Sequence, residues 1–189
     1  MADFFDALTD KHIAFVQHQP VFFTATGTGE GRINLSPKGM DSFRVLDPVR
    51  VAYLDLGGSG NETQAHLTAD GRITLMFCAF DNPALILRIY GHGRAVLPQD
   101  DGFAALAAHF PRLPGVRQVF EIAVDSVQTS CGWGVPRMTL EVERETLVYH
   151  AQQVPRTTPR RDRRAHAQHR RPAAARADLA ARMDMKVRA

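Results

Sequence analysis

Two short stretches of this sequence carry residue types suited to holding an anion. The first is Ser36-Pro37-Lys38-Gly39, where a strand-like run with alternating Ile33 and Leu35 breaks at a hydroxyl, a proline, a lysine and a glycine. The second is Gly57-Gly58-Ser59-Gly60-Asn61-Glu62-Thr63, which leaves a β-rich run and leads into a helix-like segment. Glycines at 57, 58 and 60 let a backbone approach a ligand closely. A helix start offers unpaired N–H groups and partial positive charge, and Lys38 adds a full charge. A phosphate suits that set. The plainer alternative is a pair of ordinary Gly/Ser loops with a solvated turn lysine, and neither Walker nor Rossmann spacing is present.

Three other positions stand out. In "RIYGHGR", Arg88, Tyr90 and His92 share a face at strand period. Arg88 either pairs with a carboxylate at the surface or reaches an anion. "SCGWGVP" presents the single tryptophan, Trp133, between two glycines, either as a plug at a barrel end or as a stacking partner for a flat ligand. Its neighbour Cys131 has no base nearby in sequence and reads as a packed or exposed thiol. The eight histidines show no metal-ligand spacing, so no metal site is expected.

These positions need elements to hold them. Residues 3–18 have apolar residues at 4, 5, 8, 13, 15 and 16 and predict one helix, ended by Pro20. Strand patterns follow at 21–28, 32–36, 43–47 and 49–56, with Gly27 to Gly31 as a hairpin turn. A short helix capped by Ser59 or Asn61 is expected to run to about Ala69 and to stop at Gly71. Strands at 72–80 and 84–97 are joined by Asp81-Asn82-Pro83, and Gly91 and Gly93 predict a bend or bulge in the second. A helix at 100–110 and a long strand at 117–130 complete about seven strands and three helices. Without βαβ alternation, the fold class is mainly β (α+β), an antiparallel Greek-key barrel with a few peripheral helices.

Charge divides the chain. Residues 1–150 carry 12 Lys and Arg against 17 Asp and Glu, a net of −5, whereas 151–189 carry 11 against 3, a net of +8. The basic character therefore belongs to an arginine-rich end, read as a disordered tail beyond a folded domain of residues 1–150. Such a tail suits non-specific contact with nucleic acid. The acidic body, lacking a recognition helix or ribonucleoprotein motif, argues against specific recognition. The jump in composition after about Val148 is also what a shifted reading frame would produce. No apolar run is long enough for a membrane span and no signal peptide is evident. With only two cysteines, a cytoplasmic location is expected.

Taken in order, "GRINLSPKGMDSFRVLDPVRVAYLDLGGSGNETQAHL", "GRITLMFCAFDNPALILRIYGHGRAV" and "VQTSCGWGVP" resemble the pyridoxamine 5′-phosphate oxidase-like flavoproteins over about residues 10–145. That resemblance implies a split β-barrel homodimer with FMN in clefts between the subunits. It implies that Asn34, Leu35 and Ser36 offer hydrogen bonds to the isoalloxazine edge or ribityl chain. Lys38, Ser59, Asn61 and Thr63 would lie at the phosphate, Arg88 would approach from a neighbouring strand, and Trp133 would cover the ring from the other subunit. Where the oxidases carry Ser-Arg-Lys this chain has Asn61-Glu62-Thr63, and their C-terminal substrate-binding arginine and histidine are not recognisable here. The activity implied is an FMN-dependent oxidoreductase acting on an unidentified small molecule. A non-catalytic flavin-binding or flavin-storage protein, and a deazaflavin-dependent reductase, stay open beside it.

Overall fold

The computed structural model describes residues 2–58 and 60–153. Eight strands form one antiparallel sheet: β1 (Asp3–Phe5), β2 (Phe22–Thr26), β3 (Asn34–Lys38), β4 (Phe43–Asp47), β5 (Arg50–Leu56), β6 (Arg72–Cys78), β7 (Leu85–Val96) and β8 (Val116–Cys131). Their spatial order is β3-β2-β6-β7-β8-β5-β4, with β1 pairing the C-terminal half of β8. Four helices flank it: α1 (Asp10–His18), α2 (Glu62–Ala69), α3 (Phe103–Ala107) and α4 (Thr146–Gln153). The end strands β3 and β4 do not pair with each other among the described residues, so the sheet curls without closing and is split-barrel-like.

Period-two alternation buries the concave face. Phe22, Val51, Tyr53, Leu75, Phe77, Leu87, Ile89, Phe120, Ile122 and Val127 form the main core. Phe22 stacks on Phe77 at 5.3 Å between ring centroids, and Phe43 meets Phe77 edge-on at 4.9 Å. Each such side chain contributes about 1.5–3 kcal/mol by leaving water. These contacts bring the β4 end of the sheet towards the β2 end, which is what curls it. A smaller cluster of Ala52, Leu54, Val119 and Phe110 lies on the other face of β5 and β8, under α3.

The expected bulge is present. The β7–β8 register shifts between Tyr90 and Gly91, leaving Asp125 as the extra residue on β8. There the two backbones come so close that a β-carbon at Gly91 would overlap the carbonyl oxygen of Ala123. Glycine is required by that approach rather than by its own dihedral angles.

The N-terminus differs from the single helix expected over 3–18. Residues 3–5 pair with Val127–Thr129 as β1, and α1 starts only at Asp10. The cause is local: Thr9 Oγ1 accepts from the His12 N–H at 3.3 Å, and His12 Nδ1 accepts from the Thr9 N–H at 3.2 Å, a reciprocal cap that fixes the start. The strand count therefore rises from seven to eight. The helix expected over 100–110 contracts to Phe103–Ala107, because Gly102 precedes it with a positive φ of 101°. α4, unforeseen, crosses residue 150. The arginine-rich stretch from 154 onward lies outside the described residues.

Candidate functional site

The β2–β3 hairpin places Asn34, Ser36 and Lys38 on one face of β3, towards the concave side, with Leu35 and Pro37 on the other. Asn34 Nδ2 donates to Thr63 Oγ1 at 3.1 Å, and Ser36 Oγ donates to Asn34 Oδ1 at 3.1 Å. Directly opposite on β2 stand Thr26 and Thr24, both buried, and Thr26 Oγ1 is 3.0 Å from His66 Nδ1. A line of hydroxyl and amide groups thus joins β2 and β3 to the first turns of α2.

Charge enters through Asp55, near the end of β5 and 3% exposed. Lys38 Nζ lies 3.5 Å from its Oδ1, and Arg117 reaches its Oδ2 through Nη2 at 2.8 Å and Nε at 2.9 Å. Gln118 Nε2 donates to the same Oδ2 at 3.0 Å. A buried carboxylate is tolerable only with such a complement of donors. Two cations against one carboxylate leave this group one positive charge in excess.

The same residues set the entry to α2. Gln118 Nε2 also donates to Asn61 Oδ1 at 2.9 Å, and Arg117 Nη1 donates to the Gly60 carbonyl at 2.9 Å. The Asn61 amide nitrogen donates to Gln64 Oε1. Asn61 occupies the cap position, yet its side chain makes no cap hydrogen bond. The first N–H groups of α2 therefore have no capping acceptor from that residue.

Two buried polar atoms here have no hydrogen-bond partner among the described residues, Tyr53 Oη and Gln118 Oε1. The Tyr53 hydroxyl lies against those of Thr24 and Thr63 without a hydrogen bond of ordinary geometry. Burial, and then the charge of Asp55, push its pKa well above the usual tyrosine value. An unsatisfied buried group costs about 1–3 kcal/mol, a strain more common at binding sites than in plain cores.

Beside this cluster opens a cleft of about 1470 Å³. Lys38, Gly39, Gly57 and Gly58 form one side of it, and the segment from Met138 to Ala151 forms the other. Nothing lies within 4 Å of where a β-carbon would stand on Gly58.

Of the nine positions singled out in the sequence, Asn34, Ser36, Lys38, Asn61 and Thr63 converge. Leu35 points to the opposite, convex face and is 65% exposed. Arg88 is on that convex face too, with Nη1 donating to Ser130 Oγ at 3.2 Å and no carboxylate partner among the described residues. Trp133 stands 86% exposed just past β8. Ser59 lies outside the described residues. Sequence reasoning missed Asp55, Arg117, Gln118 and Tyr53. Asp55 had a readable signal: an acid inside "YLDL", in a run otherwise built for burial, must find a cation.

A family model described as pyridoxamine 5′-phosphate oxidase matches residues 8–131. A relative from Aspergillus flavus, the pyridoxamine 5′-phosphate oxidase family protein ustO, is 40% identical over 151 residues. That match takes in 77% of this chain but only 61% of the length of the relative. Among solved structures, a Lactobacillus delbrueckii protein described as a candidate pyridoxamine 5′-phosphate oxidase superposes with a TM-score of 0.52 at 18% identity, over 65% of this chain and 94% of that one. HupZ of Group A Streptococcus gives 0.51 at 21% identity, over 64% and 91%. At such identities the two structures speak for the fold alone.

Proposed function

We propose that this chain, which belongs to the pyridoxamine 5′-phosphate oxidase family, is an FMN-dependent oxidoreductase that works as a homodimer. The observation that carries the reading is the meeting of the Asn34–Ser36–Lys38 face with an α2 start whose cap residue makes no cap bond. The donor set suits a flavin phosphate and its ribityl hydroxyls: one ammonium, helix N–H groups, and a hydroxyl and amide in line. Gly58 leaves the backbone open on that side. Glu62, in the first turn of α2, opposes an anion there, and the excess positive charge of Lys38 and Arg117 over Asp55 offsets it.

In this reading Lys38 faces the phosphate while Asp55 holds its ammonium in position. Asn34 and Ser36 bind the ribityl chain or the ring edge, and Asn61 and Thr63 line the phosphate with the loop at Ser59. FMN itself would supply hydride or single-electron transfer, the protein adding position and electrostatics. Arg88 and Trp133 support the dimer. They lie on the convex face or past the end of β8, so one copy cannot bring them and the Lys38 cluster to a single ligand. A second copy, docking its convex face over the corner of the first, can.

A folded domain that reaches the end of α4 at Gln153 and not only residue 150 accompanies this proposal, as does a cytoplasmic location. The change of composition beyond that point and the low cysteine content support them.

The test is the visible spectrum of the purified protein. A yellow protein with oxidised-flavin bands, releasing one FMN per chain identified by mass, is expected. A colourless protein that takes up no FMN at micromolar concentrations would remove the reading. A deazaflavin in the released fraction would move it to the reductase alternative. Bound FMN without turnover, given reduced nicotinamide and a panel of acceptors, would move it to flavin storage.

A further inference from the structure

We infer that the strap side of the cleft between the Lys38 corner and the segment 138–151 takes an uncharged, predominantly apolar small molecule beside the flavin. The inference deepens the oxidoreductase reading and rests on it for the role of that molecule as the reaction partner.

The segment is a strap held at both ends. At one end the Met138 N–H donates to the Phe80 carbonyl at 2.9 Å. At the other, α4 sits on Gly115, where an added β-carbon would lie 2.6 Å from Ala151 Cβ. Gly115 is itself tied to the floor of the cleft, its carbonyl accepting from the Gly57 N–H at 2.8 Å. Helix, floor and strap are thus mutually positioned, and the space between them belongs to the fold.

The strap brings apolar and polar groups together. Met138, Leu140 and Val142 alternate in sequence with Thr139, Glu141 and Glu143, and all six line the cleft. Met138, Leu140 and Val142 are 60%, 56% and 72% exposed, so each keeps apolar surface that a ligand can cover. Facing them are Val21, Phe80 and Pro114. A residue pattern made for burial, left open over an apolar wall, gains by excluding water with a third body.

Charge selects which body. The lining holds two fixed cations, Lys38 and Arg144, against two fixed anions, Glu141 and Glu143. With two charges of each sign on the lining, neither an anion nor a cation is favoured. The volume of about 1470 Å³ exceeds the roughly 300–1,000 Å³ usual for a small-ligand pocket. A flavin end at the corner and an apolar partner under the strap can share it.

The experiment is a fluorescence titration of the full chain, with cofactor as isolated, by N-phenyl-1-naphthylamine, an uncharged apolar fluorophore. One probe per chain with micromolar affinity is expected. Leu140→Asp, at an exposed position whose change spares the core, should weaken it by about tenfold or more, because a carboxylate would lose water on binding. Val49→Asp, a similarly exposed apolar residue away from the cleft, should leave affinity unchanged. An absent signal in a protein that holds its flavin, equal losses in both variants, or no loss in Leu140→Asp would overturn the inference. Competitive displacement of the probe by added FMN would also overturn it, since the strap would then roof the flavin's own seat. A Leu140→Asp variant that loses dimerisation along with probe binding would assign the strap to a second copy instead. Binding of the probe by a protein that takes up no flavin would keep the apolar site and remove the oxidoreductase reading alone.

Discussion

At the scale of single residues, Lys38 separates the proposed roles most sharply. Replacing it with Ala leaves Asp55 with two bonds from Arg117 and one from Gln118, so the fold should survive. If its ammonium faces the phosphate, FMN affinity should fall about ten- to a hundred-fold, the equivalent of about 1.5–3 kcal/mol for a charge-assisted hydrogen bond. Riboflavin, which lacks the phosphate, should bind as before. Equal losses for both flavins would mean that Lys38 acts on the ring or on the shape of the corner. The corner drew notice because a hydroxyl, a proline and a lysine in succession have no place in a buried strand, but the break expected at Ser36 does not occur: β3 runs on through Pro37 to Lys38 as an end strand of the sheet, where a proline is tolerated. The network behind it was not. Asp55 and Arg117 are 62 residues apart in sequence, and a pair at that separation becomes visible only once β5 and β8 are known to lie side by side. The facing of Leu35 and Arg88 followed from alternation, but which face looks into the barrel did not.

At the scale of elements, the strongly periodic strands were readable and the N-terminus was not. Phe4, Phe5 and Leu8 fit a helical face as well as a short strand, and only the free edge of β8 decides between them. The cap that starts α1 has a consequence for pH. His12 is buried against Phe5, with ring centroids 4.6 Å apart, and its burial lowers its pKa below the ordinary value of 6.5. The folded state therefore prefers the neutral ring, whose Nδ1 accepts the Thr9 N–H. At neutral pH and above, both folded and unfolded chains hold it neutral and the contribution is full. As pH falls below 6.5 the unfolded chain takes up the proton first, and stability is lost until pH passes below the folded value. Each unit of depression is worth about 1.4 kcal/mol. His12→Gln keeps an acceptor at the third helical position and cannot titrate. Between about pH 7.5 and about pH 5, wild type should lose more melting temperature than this variant, by about 2–4 °C for each kcal/mol. Parallel curves would place the pH dependence elsewhere.

At the scale of the whole molecule, the split barrel followed from resemblance rather than from periodicity, which names strands without ordering them. The order depends on the β5 to β6 connection through α2, which carries the chain from one end of the sheet towards the other. That connection also brings the α2 start to β3, where Asn34 donates to Thr63. The proposed division near residue 150 can be tested on the same terms. α4 ends at Gln153, and its Ala151 seats against Gly115, so a cut at Val154 spares every contact described for the body. Residues 155–189 contain one leucine, one valine and no aromatic residue. Ordering them would cost about 1–2 kcal/mol of backbone entropy per residue, with little apolar surface to offset it. Deleting 155–189 should therefore leave the melting temperature within a few degrees and the oligomeric state unchanged. It should also abolish any salt-sensitive binding to nucleic acid, since the remaining body is acidic. Aggregation of the truncated chain, or a fall of ten degrees or more, would show that the basic end packs on the barrel and that the boundary belongs further along the chain.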